Sequence, residues 1–152
     1  MTDIESVVAA EAIKILKARY CRFLDKKEWQ RWGDLYTADA TVGMDSGEGQ
    51  VRGILAGRDN IVRGVREQIE HAVTVHRVYG PEIEVLGPQR AKGVWAMDDQ
   101  VIFPAGADAP FQSLHGFGHY REEYRLEEGW WRIATLRLSR LREDIVPNPT
   151  RV

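Results

Sequence analysis

Four long runs of alternating apolar and polar residues occupy the second half of the chain, roughly Val73 to Val85, Ala91 to Phe103, Ser113 to Leu126 and Trp130 to Leu141. Alternation with period two is the signature of a strand with one face buried. No helical stretch separates the runs, so the crossovers that a parallel sheet needs are missing and the strands must pair mainly antiparallel. Gly87-Pro88 and Glu127-Glu128-Gly129 mark turns between them, and Pro104 to Pro110 reads as a longer loop.

The first half follows a different period. From Ile4 to about Lys26, Val7, Val8, Ala12, Ile13, Leu16, Tyr20, Phe23 and Leu24 recur at three- and four-residue spacing and form one apolar face of a helix. Trp29, Trp32, Leu35 and Tyr36 continue that period in a shorter helix that stops before Asp39. Asp39 to Val42 reads as the turn into a short strand, followed by a loop with Gly43, Gly47, Gly49 and Gly53. Asp59 is placed to cap a third helix over Asn60 to Glu70, with Ile61, Val62, Val65 and Ile69 inward. Helices first and an antiparallel sheet afterwards make an α+β chain. Pro147 to Val152 reads as a loose end.

Composition narrows the function classes. The 152 residues form a single domain, 1–152, large enough to bury a core without disulfides. A net charge of -2 from 21 basic and 23 acidic residues supplies no basic field for nucleic acid or anionic lipid. The acidic start Met1-Thr2-Asp3-Ile4-Glu5 lacks the layout of a signal peptide, and no apolar run is long enough to span a bilayer. A soluble, cytoplasmic protein with no nucleic-acid or membrane partner is expected. Cys21 is the one cysteine and is expected to pack as a small apolar side chain.

Two residues carry the candidate chemistry: Asp25 at the end of the first helix, and His76 in the first strand-like run after the third. A carboxylate that orients an imidazole makes a general base near neutral pH. Taken alone, Asp25 could be a solvated helix end and His76 a hydrogen-bonded core residue. Tyr20 shares the helical stripe of Ile13 and Leu16, which is equally consistent with core packing. Asp99 shares strand parity with Trp95, Met97 and Val101 and would point into a pocket as an acid of raised pKa, with Asp98 outward; a bulge would make it a surface charge. His115 and His119 share a face but leave a metal site incomplete.

In order and spacing, Tyr20-x4-Asp25-x3-Trp29-x2-Trp32-x2-Leu35-Tyr36-x2-Asp39-Ala40, Gly57-Arg58-x2-Ile61, His76, Gly118-x-Tyr120 and Gly129-Trp130-Trp131-Arg132-Ile133 resemble the SnoaL-like branch of the nuclear transport factor 2-like superfamily over nearly the whole chain. The resemblance implies a curved, mainly antiparallel mixed sheet wrapped around three helices as a cone-shaped barrel with one deep, largely apolar pocket. Scytalone dehydratase, hexachlorocyclohexane dehydrochlorinase and bile-acid 7α-dehydratase belong to this group. It implies further that an Asp-supported His, here Asp25 and His76, removes a proton from carbon without metal or organic cofactor, with Tyr20 as hydrogen-bond donor. Asp99, Met44, Met97, Trp95, Tyr120 and Arg140 are the candidates for binding. Met44 stands where the dehydratases carry a pocket tyrosine, and Leu136 where the dehydrochlorinase can carry an arginine, with Arg137 and Arg140 close by.

The expected activity is a dehydratase-like elimination on a small cyclic or hydrophobic substrate. A polyketide-cyclase-like isomerase, a ligand-binding protein and a dioxygenase small-subunit-like protein are the alternatives. Relatives of this architecture are commonly dimers or trimers, and Trp130, Leu136 and Leu138 are expected on a sheet face that would support a homo-oligomer.

Overall fold

Thr2 opens the first helix, α1 (Asp3–Asp25), with a reciprocal cap: its hydroxyl accepts from the Glu5 amide at 3.1 Å and the Glu5 carboxylate accepts from the Thr2 amide at 2.7 Å. The chain is described by a computed structural model over residues 1–45 and 50–149. Of the expected stripe, Ile13, Leu16, Tyr20, Phe23 and Leu24 are buried, with Ala9 and Cys21 beside them, and Ala12 is half-buried. Val7 and Val8 were expected on that stripe but are exposed, as is Ile4 before them, because the helix packs on the sheet only beyond its second turn.

The next element, α2 (Trp29–Gly33), is shorter than the aromatic spacing predicts. Tertiary pairing ends it: the Ile133 amide donates to the Leu35 carbonyl at 2.8 Å, and Tyr36 starts β1 (Tyr36–Asp45) by pairing with Ile133. Asp39 to Val42 is therefore strand, not a turn. The expected glycine loop is partly strand as well, with Gly43 in β1 and Gly53 in β2 (Val51–Ala56), while Gly47 and Gly49 lie outside the described residues, as do positions 150–152 of the expected loose end. Gly57, not Asp59, is the N-cap of α3 (Arg58–Ile69); at φ +89° it adopts a backbone that side-chain-bearing residues rarely take. Asp59 sits in the first turn, where a carboxylate favours the positive end of the helix.

The four predicted strands are β3 (Val73–Gly87), β4 (Arg90–Ile102), β5 (Ser113–Glu127) and β6 (Trp130–Val146). With β1 and β2 they form one six-stranded sheet in the order β2-β1-β6-β5-β4-β3. Only β1 and β6 are parallel; every other neighbour is antiparallel. The sheet is mixed and open, with β2 and β3 as edges. Bulges between Tyr79 and Glu82, Phe117 and Gly118, and Glu123 and Tyr124 bend it around the helices. The core lies inside this curve and joins Ile13, Leu24, Trp32, Tyr36 and Ile61 to Tyr124, Ile133 and Leu136. Leu136 and Leu138 thus belong to the inner face, and only Trp130, 62% exposed, stands outside as expected. No helix of the described residues is long and apolar enough to cross a membrane.

Candidate active site

The last turn of α1 meets the first residues of the edge strand β3. There the Asp25 carboxylate accepts from the His76 ring Nδ1 at 2.7 Å through Oδ1, and from the His76 backbone amide at 2.9 Å through Oδ2. Thr74 Oγ1 donates to the same Oδ1 at 3.0 Å and accepts from Lys27 Nζ at 2.8 Å. A carboxylate can only accept, so Nδ1 carries a proton, and in the neutral ring Nε2 is then the nitrogen with the lone pair. Asp25 thus sits behind the ring, while His76 itself lines a cavity of about 570 Å³.

Asp99 reaches the same place from β4, since the register sets it directly opposite His76. Its Oδ2 lies 3.8 Å from His76 Nε2, beyond hydrogen-bond distance but close enough for charge to matter. Both Asp99 oxygens accept from Arg140, at 2.5 Å from Nη1 and 3.0 Å from Nη2. The pairing is bidentate, so one guanidinium engages both oxygens of Asp99. Burial works against the Arg140 charge, but the Asp99 contacts outweigh it and hold the guanidinium above its ordinary range. Gly116 makes room for the pair: a Cβ there would strike the Arg140 guanidinium and come within 2.7 Å of Asp99 Oδ1.

The rest of the cavity wall is mostly apolar, with Leu24, Val42, Met44, Leu55, Leu114 and Leu138 among its residues, and its floor is aromatic. Tyr20 packs at 5.7 Å from Trp32, 6.3 Å from Tyr36 and 5.9 Å from Tyr120, centroid to centroid. Burial drives the Tyr20, Tyr36 and Tyr120 hydroxyls above the ordinary phenol range, so they face a ligand as neutral groups.

Of the residues singled out in the sequence, His76, Asp99, Arg140, Tyr20, Tyr120 and Met44 line this cavity. Trp95 and Met97 do not. Both are buried in the core beneath it, where Trp95 Nε1 donates to the Tyr124 hydroxyl at 2.8 Å and Met97 Sδ meets Arg140 at 3.7 Å. Asp98 does point to the other sheet face, yet it is buried there under Tyr79, Arg77 and His115.

One feature of the interior escaped sequence reasoning. Lys17 and Glu122, both fully buried, form an ion pair beneath the floor; Tyr124 donates to the second Glu122 oxygen at 2.5 Å, and Lys17 Nζ lies 3.5 Å from the Tyr20 ring centroid and 3.8 Å from that of Tyr120. The available signal was parity. Lys17 falls on the apolar stripe of α1, and Glu122 on the inward parity of β5 with Tyr120 and Tyr124.

A second depression, about 680 Å³, lies outside, between α1, α2 and the β5–β6 turn. It is the larger of the two, but it contains no histidine and none of the groups just described.

Known proteins share this architecture. A protein of Gibberella zeae named probable cyclase FGR4 is 28% identical over 141 residues, 88% of this chain and 91% of its own. Among solved structures, a hexachlorocyclohexane dehydrochlorinase of type 2 superposes with a TM-score of 0.79 at 16% identity, covering 95% of this chain and 93% of the other. A scytalone dehydratase-like protein of Novosphingobium aromaticivorans gives 0.73 at 17% identity, covering 96% and 95%. Residues 5–137 match the sequence model of the SnoaL-like domain, and the chain belongs to that family.

Proposed function

We propose that this protein is a cofactor-independent lyase that removes a proton from carbon and expels a hydroxyl group from a cyclic, largely hydrophobic substrate. The observation that carries this is the His76 ring, fixed by Asp25 at 2.7 Å on one nitrogen and free on the cavity side at the other. In the reaction, Nε2 takes the proton, the C–H electron pair becomes the new double bond and the C–O bond breaks. The departing oxygen recovers the proton from the imidazolium and leaves as water. While charged, the imidazolium stands between Asp25 and Asp99, with Arg140 balancing the second carboxylate. Tyr20, a neutral phenol on the floor, donates to the substrate oxygen that gains charge as the proton departs.

The test is a panel of cyclic β-hydroxy ketones, followed by absorbance of the conjugated enone and by loss of the mass of one water. Wild-type turnover and its disappearance in His76→Ala, with the fold intact by circular dichroism, are the expected results. Turnover retained in that variant overturns the proposal.

Similarity to a protein named a cyclase favours a second use of the same base. The carbanion formed at His76 would then attack a carbonyl carbon of the same molecule, closing a ring without change of mass. Mass spectrometry of the product separates the two outcomes.

A further inference from the structure

Two polar atoms at the cavity floor have nothing to bond. The Tyr36 hydroxyl and the Trp32 indole Nε1 are buried in residues 0% and 1% exposed, and neither has a hydrogen-bond partner among the described residues. Both residues line the cavity, and their rings meet edge to face at 5.1 Å. Buried donors are nearly always paired, and each one left unpaired costs free energy that a bound acceptor would return.

From this we infer that the substrate carries a second oxygen at its buried end, a ring carbonyl or hydroxyl that accepts from Tyr36 and Trp32 while the reacting carbon lies at His76. This rests on the cavity being the substrate site and adds to it a requirement at both ends. The indole only donates and the phenol is neutral, so the matching group is an acceptor. A carboxylate fits poorly, since Lys17, the buried cation beneath the floor, is already paired with Glu122.

The cavity of about 570 Å³ that His76, Tyr36 and Trp32 share has room for two or three fused or linked rings. Leu24, Val42, Leu55 and Leu138 face the ring system between them.

Calorimetric titration with biphenyl hydroxylated at one para carbon or at both tests this without turnover. The dihydroxylated probe is expected to bind wild type roughly fivefold tighter, about the net worth of a neutral hydrogen bond. Tyr36→Phe should erase that preference and leave the singly hydroxylated probe unaffected, with Trp32→Phe reducing it independently. His76→Ala should keep the preference, so that failure of the proton-transfer proposal and failure of this one are distinct. A wild type that fails to discriminate, or a preference that survives both floor substitutions, overturns the inference.

Discussion

Asp25 holds the His76 ring both by charge and by choosing its tautomer, and Asp25→Asn separates these from simple packing. An amide at this position can donate to Nδ1, which would move the ring proton to Nε2 and block the basic nitrogen. Turnover in the proposed elimination is expected to fall by about 10³ to 10⁴ with the fold preserved, as when a catalytic histidine loses its orienting carboxylate. A loss below about tenfold in kcat would mean the carboxylate does not set the tautomer. Lys17 poses the opposite question, of stability. Lys17→Met leaves Glu122 as an uncompensated buried charge and is expected to cost about 3–5 kcal/mol in chemical denaturation. The double variant Lys17→Met, Glu122→Leu should recover most of that loss, because the desolvation of both charges disappears together.

At the level of elements, β5 is shaped by two glycines with different neighbours. A Cβ at Gly116 meets the end of a flexible arginine side chain, whereas at Gly118 it meets the Ser139 main-chain carbonyl of β6. Gly116→Ala should therefore be met by a shift of the Arg140 side chain at a cost of about 1 kcal/mol, and Gly118→Ala should cost clearly more, up to about 3 kcal/mol, because backbone cannot step aside. Thermal unfolding of the two variants checks the order. Much of this sheet was legible beforehand, since β3 to β6 carry period two through long stretches. Two elements were not. Tyr36 continues a helical spacing of aromatics, yet it is recruited by Ile133, far away in sequence, into a parallel pair. β2 was hidden by the glycines around it, and it is strand because β1 supplies its hydrogen-bond partner.

For the whole molecule, acid stability depends in part on the outer face of the sheet. Burial raises the Asp98 carboxyl, but bonds from Tyr79 and His115 and the charge of Arg77 outweigh this and hold it below its ordinary value of 3.8. A depressed carboxyl stabilises the fold above that value and loses its effect as pH falls through the lower folded one. Asp98→Asn should therefore destabilise by about 1–2 kcal/mol at neutral pH. The gap from wild type should close in acid, which denaturation curves across pH would show. The sequence alone determined α1, α3, the strands β3 to β6 and the inward parity of Asp99, because periodicity is a local property, while the pairing of Asp25 with His76 was implied by the resemblance to SnoaL-like proteins. Only the tertiary structure decided that Arg140 grips Asp99, that Trp95 and Met97 lie under the cavity instead of along it, and that Lys17 meets Glu122. Those contacts join residues up to 105 positions apart, and their geometry depends on sheet curvature, register and bulges that no local pattern encodes.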